Sequence, residues 1–206
     1  MKNTRQILGS GIILWLFTII GTGLVAFTFG STHAQIVENE RQAKLALLFE
    51  IVPPALFDND LLAGTQTVAA SKLLSTSKAS TVYIAKKSDK TSAVIFSPIA
   101  PDGYNGKIKL VVGVLRNGTL SGVRVVAHKE TPGLGDAIDA IKSDWVLGFN
   151  GTSLKQPTLE RWKVKRDKGH FDQFTGATIT PRAIVKAVKN TLLYYQQHKE
   201  TLLAHD

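Results

Sequence analysis

The sequence predicts an α+β protein: an N-terminal transmembrane helix followed by an antiparallel-sheet domain with flanking helices. Three observations carry that expectation. Residues 7–30 contain no charged side chain. Residues 107–127 hold two β-patterned runs joined by Asn117-Gly118. Residues 181–198 place apolar side chains three and four positions apart. No regular alternation of strand and helix patterns is present, so a doubly wound parallel sheet is not expected.

From the N-terminus, the uncharged stretch includes Ile12, Ile13, Leu14, Trp15, Leu16, Phe17, Ile19 and Ile20, then Leu24, Val25, Phe27 and Phe29. At about 1.5 Å per residue it is long enough for the roughly 30 Å hydrocarbon core of a bilayer. Lys2 and Arg5 precede it, whereas Glu38, Glu40 and Arg41 follow. The positive-inside bias therefore leaves residues 1–6 in the cytoplasm and sends the chain after the 7–30 helix across the membrane. Thr32 and Ala34 would suit signal cleavage, but a signal peptide's apolar region is only about 7–15 residues, so a retained anchor is expected. Gly9, Gly11, Gly21 and Gly23 allow either close approach by a neighbouring helix or a plain lipid-facing helix.

Residues 31–80 are expected to be a linker and helical segment, and residues 81–206 the extracytoplasmic domain. Within the linker, Gln35 to Ile51 has helical spacing through Ala43, Leu47 and Leu48, and Pro53-Pro54 stops it. Ala63 to Ser80 is rich in Thr, Ser and Ala without a period. Val82–Ile84 and Ala93–Phe96 read as short strands and Lys107–Leu115 as a longer one. Asn117-Gly118 supplies a tight turn and Val123–Ala127 the returning strand. Asp136–Phe149 reads as partly helical and Arg161–Lys165 as a further strand. The last helix, Pro181–His198, carries Ile184, Val185, Val188, Leu192 and Tyr195 on one face, with Thr180 as N-cap and Pro181 in the first helical position.

Composition limits the chemistry. The absence of cysteine among 206 residues removes disulfides, thiolate metal sites and cysteine nucleophiles together, so redox chemistry would need a cofactor held by other means. Five dispersed histidines form no metal-binding motif, and neither a catalytic residue nor a metal ligand is assigned. A formal net charge of +9 comes without any nucleic-acid-binding pattern, so no nucleic acid is expected. The excess suits a solvated basic surface, or docking to acidic partners or anionic lipid headgroups.

Two segments stand out. His128-Lys129-Glu130-Thr131-Pro132-Gly133-Leu134-Gly135 leaves a strand and turns through two glycines and a proline, exposing backbone amides. It lacks the third glycine of a dinucleotide fingerprint. Asp172-Gln173-Phe174-Thr175-Gly176-Ala177-Thr178 runs into the last helix, where small residues permit close approach and the helix start favours a phosphate. A plain helix start capped by Thr180 accounts for the same residues.

These segments, with Gly103-Tyr104-Asn105-Gly106, Trp145 and the anchor, resemble the G-subunit family of Rnf/Rsx ion-translocating electron-transport complexes. That family belongs with the wider FMN-binding domains shared with the C-type subunit of the sodium-translocating NADH:quinone reductase. The resemblance implies that Thr178 carries FMN through a phosphoester, within an Asp-x-x-Ser/Thr-Gly-Ala-Thr signal here formed by Asp172, Thr175, Gly176, Ala177 and Thr178. It implies a separate flavin transferase that makes the bond from FAD, with Asp172 serving modification more than electron transfer. Glu130, Thr131 and Leu134, with Gly133 and Gly135, are the candidates for lining the flavin, and His128 and Trp145 are further ones. The run Lys155, Arg161, Lys163, Lys165, Arg166 and Lys168 offers charge to a phosphate, although a solvated face accounts for most of it.

The function so implied is an FMN electron relay of a bacterial inner-membrane complex whose other subunits couple electron flow to ion movement, with no complete activity in this chain alone. Thr175 in place of serine and the short chain favour the Rnf/Rsx family over the quinone-reductase one. A membrane-tethered binding module without flavin is the reading from a different class.

Overall fold

The computed structural model describes the backbone of residues 2–204 and the side chains of residues 6–204. Met1 and the side chains of Lys2 and Arg5, on which the expected orientation turns, lie outside the described residues, as do His205 and Asp206. The chain divides into two compact units, Met1–Lys44 and Leu45–Asp206.

The first unit is helix α1 (Lys2–Ile51) up to Lys44. An 18-residue window within it reaches a mean hydropathy of 2.2 with none of its residues buried. Its few hydroxyls do not interrupt it, because Thr18, Thr28, Ser31 and Thr32 each donate at 2.8 Å to the carbonyl four residues back. The helix expected over 35–51 is a continuation of the apolar one rather than a separate element. No proline or glycine falls between residues 31 and 52, and Gln35–Asn39 and Glu38–Gln42 side-chain pairs support the polar part. Pro53 and Pro54 end it, since proline disfavours helix in the residue before it and donates no amide hydrogen.

The second unit begins well before residue 81. Its six strands are β1 (Thr65–Val68), β2 (Ser80–Lys87), β3 (Lys90–Phe96), β4 (Ile99–Gly103), β5 (Gly106–Leu115) and β6 (Leu120–Ala127). They form one antiparallel sheet in the order β1-β2-β3-β5-β4, with β6 also paired to β5. Strand β1 and the buried Leu61 and Leu74 come from the segment expected as linker, where short runs among small polar residues leave no period. Strand β5 is the hub. Residues 112–115 pair with β3, residues 106–109 with β4, and 109–114 with β6.

Alternation along the strands feeds two cores, which explains their nearly continuous apolar runs. On one face Tyr83, Ala85, Ala93, Ile95 and Val111 pack with Leu48, Ile51 and Val52. Gly122 is required there, because a Cβ would come within 3.0 Å of the Ile51 carbonyl. On the other face Val82, Val94, Phe96, Val112 and Val114 share a core with Ile184, Val188 and Leu192 of helix α2 (Ile179–Leu203).

Two local expectations are corrected and a third takes a specific form. Arg161–Lys165 is not a strand. Trp162 and Val164 are buried and their neighbours exposed, as in a strand, but only an isolated Val164–Phe171 bridge forms, between 3₁₀ turns at Leu159–Arg161 and Lys165–Asp167. Asp136–Phe149 is partly helical as expected, in two 3₁₀ turns, Gly135–Ile138 and Asp144–Phe149. Helix α2 starts at Ile179, so Thr178 occupies the N-cap position without a side-chain cap, and Thr180 lies inside the first turn.

Candidate functional site

A cleft of about 290 Å³ opens where three segments meet: the β4–β5 turn around Tyr104, the loop after β6, and the start of α2. Glu130 joins them. Its side chain is buried, with the residue only 4% exposed. One carboxylate oxygen accepts from the Asn105 amide at 3.1 Å; the other accepts from the Tyr104 amide at 3.3 Å and from the Thr180 hydroxyl. Asn105 Nδ2 donates to Thr131 Oγ1 at 3.1 Å, a second tie between turn and loop. A buried carboxylate is tolerated only with such partners.

The loop holds its own shape. The amides of Leu134 and Gly135 both donate to the Thr131 carbonyl at 3.1 Å, and Gly133 has a φ of +77°, where a side chain would be strained. At Gly135 a Cβ would sit 3.0 Å from both Glu130 Cβ and Thr180 Oγ1, so only glycine lets loop and helix meet. Asp136 is buried beside the Lys142 ammonium, whose hydrogen bond and charge hold the Asp136 carboxyl below its ordinary value and raise the lysine.

The third wall is the turn into α2. The Ala177 amide donates to the Phe174 carbonyl at 3.2 Å across Gly176, whose φ is +80°. This turn presents Thr178 half-buried at the head of the helix, where the first-turn amides have no intrahelical acceptor and Pro181 has no amide hydrogen at all. No acidic side chain lies in that turn. Arg166 Nη1 donates to Thr178 Oγ1 at 3.3 Å.

Of the residues expected at the site, Glu130, Thr131, Leu134, Gly135, Gly176, Ala177 and Thr178 line this one cleft. Gly133, Asp172 and Thr175 are not among its lining. The Asp172 carboxylate is exposed and pairs with Lys165 at 2.6 Å, while its carbonyl accepts from the Trp145 indole at 2.9 Å. Trp145 also stands edge-on to Phe149 and Phe174, so it anchors the 172–174 segment from outside the cleft. His128 faces away as well. Its Nδ1 accepts from the Glu130 amide at 3.0 Å and its Nε2 meets Asp139 at 3.1 Å.

Tyr104, Ile179 and Thr180 complete the lining and were not sequence candidates for it. Thr180 reads locally as a helix cap, and Tyr104 as part of a motif with no assigned contact. Leu134 and Ile179 remain 47% and 45% exposed, giving the cleft apolar walls next to a cationic and amide-rich end. That polarity suits a ligand with a planar apolar part and an anionic group. Among the described residues no group of three acidic or histidine side chains could hold a metal.

The chain is similar to several known proteins. The family model described as FMN-binding domain matches residues 103–193, which include all three walls of the cleft. A second, described as RnfG N-terminal region, matches residues 1–51. The G subunit of the ion-translocating oxidoreductase complex of Pseudoalteromonas atlantica is 48% identical over 201 residues, covering 97% of this chain and 94% of that protein. The protein of the same description in Pseudomonas aeruginosa is 48% identical over 200 residues, with 97% and 94% covered. Among solved structures, Shewanella oneidensis NqrC is similar with a TM-score of 0.49 and 22% identity over 76% of this chain and 73% of its own.

Proposed function

The chain belongs to the RnfG family, the G subunits of ion-translocating oxidoreductase complexes, and from that premise we propose that its second unit is an extracytoplasmic electron relay carrying FMN esterified to Thr178. It is a membrane-anchored FMN protein of an oxidoreductase complex, and the other subunits are its partners. Among the described residues a single helix is long and apolar enough to cross a bilayer, so an ion path must be built with other subunits.

The observation that carries the reading is the cleft itself, which joins Thr178 to the Glu130–Gly135 loop across about fifty residues of sequence. The residues present fit FMN. The head of α2 and Arg166 offer amides and a positive charge to the phosphate, while Leu134, Ile179 and Tyr104 offer apolar surface to the ring. Bound flavin supplies reversible transfer of one or two electrons, and the protein tunes its potential. Glu130 spends its acceptors on protein donors, so it shapes the cleft by holding turn, loop and helix together. Gly176 and Ala177 leave the Thr178 hydroxyl open to a bulky group, and the exposed Asp172 lies where a flavin transferase could read it.

A covalent link retains the cofactor outside the cytoplasm, where free flavin is scarce. Lys2 and Arg5 favour a cytoplasmic N-terminus and hence that location for the domain. Thr178→Val keeps a similar volume and removes the attachment oxygen. In cells that contain the flavin transferase, the parent chain is expected to give a flavin fluorescence band on a denaturing gel, and the variant none. Thr175→Ser keeps the band. A band that persists in Thr178→Val moves the attachment elsewhere.

A further inference from the structure

Arg166 lies in a basic run that reads as a solvated surface, yet its placement is held in detail. The loop that carries it, residues 163–169, is anchored from beneath by the buried Trp162 and Val164. The amides of Asp167 and Gly169 return to the Val164 carbonyl at 2.8 and 3.0 Å, and the Lys168 amide to Lys165 at 2.9 Å. At Gly169 a Cβ would collide with the Lys163 carbonyl, so the turn can be this tight only with glycine.

Three contacts then fasten the loop to the turn before α2 and to the helix itself. Asp167 takes both Arg182 Nε and Nη2, at 2.6 and 2.7 Å, in a two-point pair that holds the Asp167 carboxyl below its ordinary value. The Arg166 amide donates to Gln173 Oε1 at 3.0 Å, and Lys165 pairs with Asp172 at 2.6 Å. The outcome is a guanidinium 3.3 Å from Thr178 Oγ1, at the head of the helix. A planar, permanently charged fork suits phosphate oxygens better than a lysine does.

We propose that Arg166 is the phosphate-holding residue of the flavin attachment site, with Asp167 and Arg182 as the latch that positions it. The proposal rests on the covalent FMN reading above. In the attachment step the bond formed joins Thr178 Oγ to the FMN phosphorus of FAD. The bond broken is the pyrophosphate P–O bond to AMP, which departs with its oxygen. The hydroxyl proton passes to solvent or to a base of the transferase, and nothing is oxidised or reduced. Arg166 orients the hydroxyl beforehand and afterwards balances the charge of the phosphodiester.

The test uses the full-length chain in detergent with FAD and flavin transferase. Initial rates of covalent labelling are measured for the parent, Arg166→Gln, Arg166→Lys and Lys163→Gln, followed by ³¹P spectra of the labelled proteins. Arg166→Gln is expected to label about tenfold to a hundredfold more slowly, as for a lost charge-assisted hydrogen bond, and its adduct to show a displaced phosphorus resonance. Arg166→Lys keeps the charge and falls between, which separates loss of charge from any loss of fold. Lys163→Gln, which removes a nearby exposed charge, labels like the parent. Equal rates in Arg166→Gln and the parent, or an equal loss in Lys163→Gln, overturn the role of Arg166 while leaving the covalent reading intact. A parent chain that takes up no FMN removes the covalent reading, and the proposal with it.

Discussion

Glu130 and Thr180 show how much of the site depends on single side chains far apart in sequence. Fifty residues separate them, and their hydrogen bond is buried between loop and helix. Thr180→Val keeps the shape and deletes the donor, leaving a buried carboxylate oxygen with one partner fewer. The expected cost is about 1–3 kcal/mol, more than an exposed cap would give, read from urea unfolding of the full chain. An unchanged urea midpoint would mean that the hydroxyl contributes nothing. Thr178 and the Glu130–Gly135 loop were legible from their motifs. The partnership of Thr180 was not, because a threonine just before a proline satisfies the local rule for an N-cap equally well. Only the tertiary structure, which starts the helix at Ile179, turns that hydroxyl inward.

At the scale of elements, the segment from Gly135 to Phe149 tests whether charge pairing holds an irregular stretch in place. Asp136 in the first 3₁₀ turn is buried against Lys142 six residues on, and its carboxyl is held below its ordinary value of 3.8 by that lysine. A depressed carboxyl contributes stability above its unfolded value and loses it as pH falls through the lower folded value. Lys142 is raised above 10.5, so its share is present below that and is lost as pH rises through the folded value. Lys142→Met should therefore lower the urea midpoint across the neutral range, with the gap to the parent closing as pH falls below 3.8 and again as it rises above 10.5. A gap that stays constant with pH would assign the loss to packing instead. Strands β5 and β6 and the Asn117-Gly118 turn were legible because period and turn chemistry agree there. β1 was not, because four residues are too short for a period, and the 3₁₀ turns at 159–161 and 165–167 were not, because a 3₁₀ turn leaves no helical one, whereas the partial helicity of 136–149 was.

For the molecule as a whole, one apolar helix and one sheet domain divide anchoring from redox chemistry. The apolar stretch was legible by composition alone, but the start of the domain at Leu45 was not, since the end of α1 reads as the same helix whether it is linker or core. The proposed orientation predicts that a periplasm-dependent reporter fused to the C-terminus is active, and that a cytoplasm-dependent reporter at the same place is silent. The reverse pattern would put the cleft on the cytoplasmic side. Peptide mass spectrometry of the native protein reads the ester on Thr178 without an intermediate step. Trypsin should release residues 169–182, which contain Thr175, Thr178 and Thr180. This peptide should be heavier by FMN less one water, with fragment ions placing the addition on Thr178. An unmodified peptide from protein matured in the presence of the flavin transferase, or an addition on Thr175 or Thr180, would contradict it.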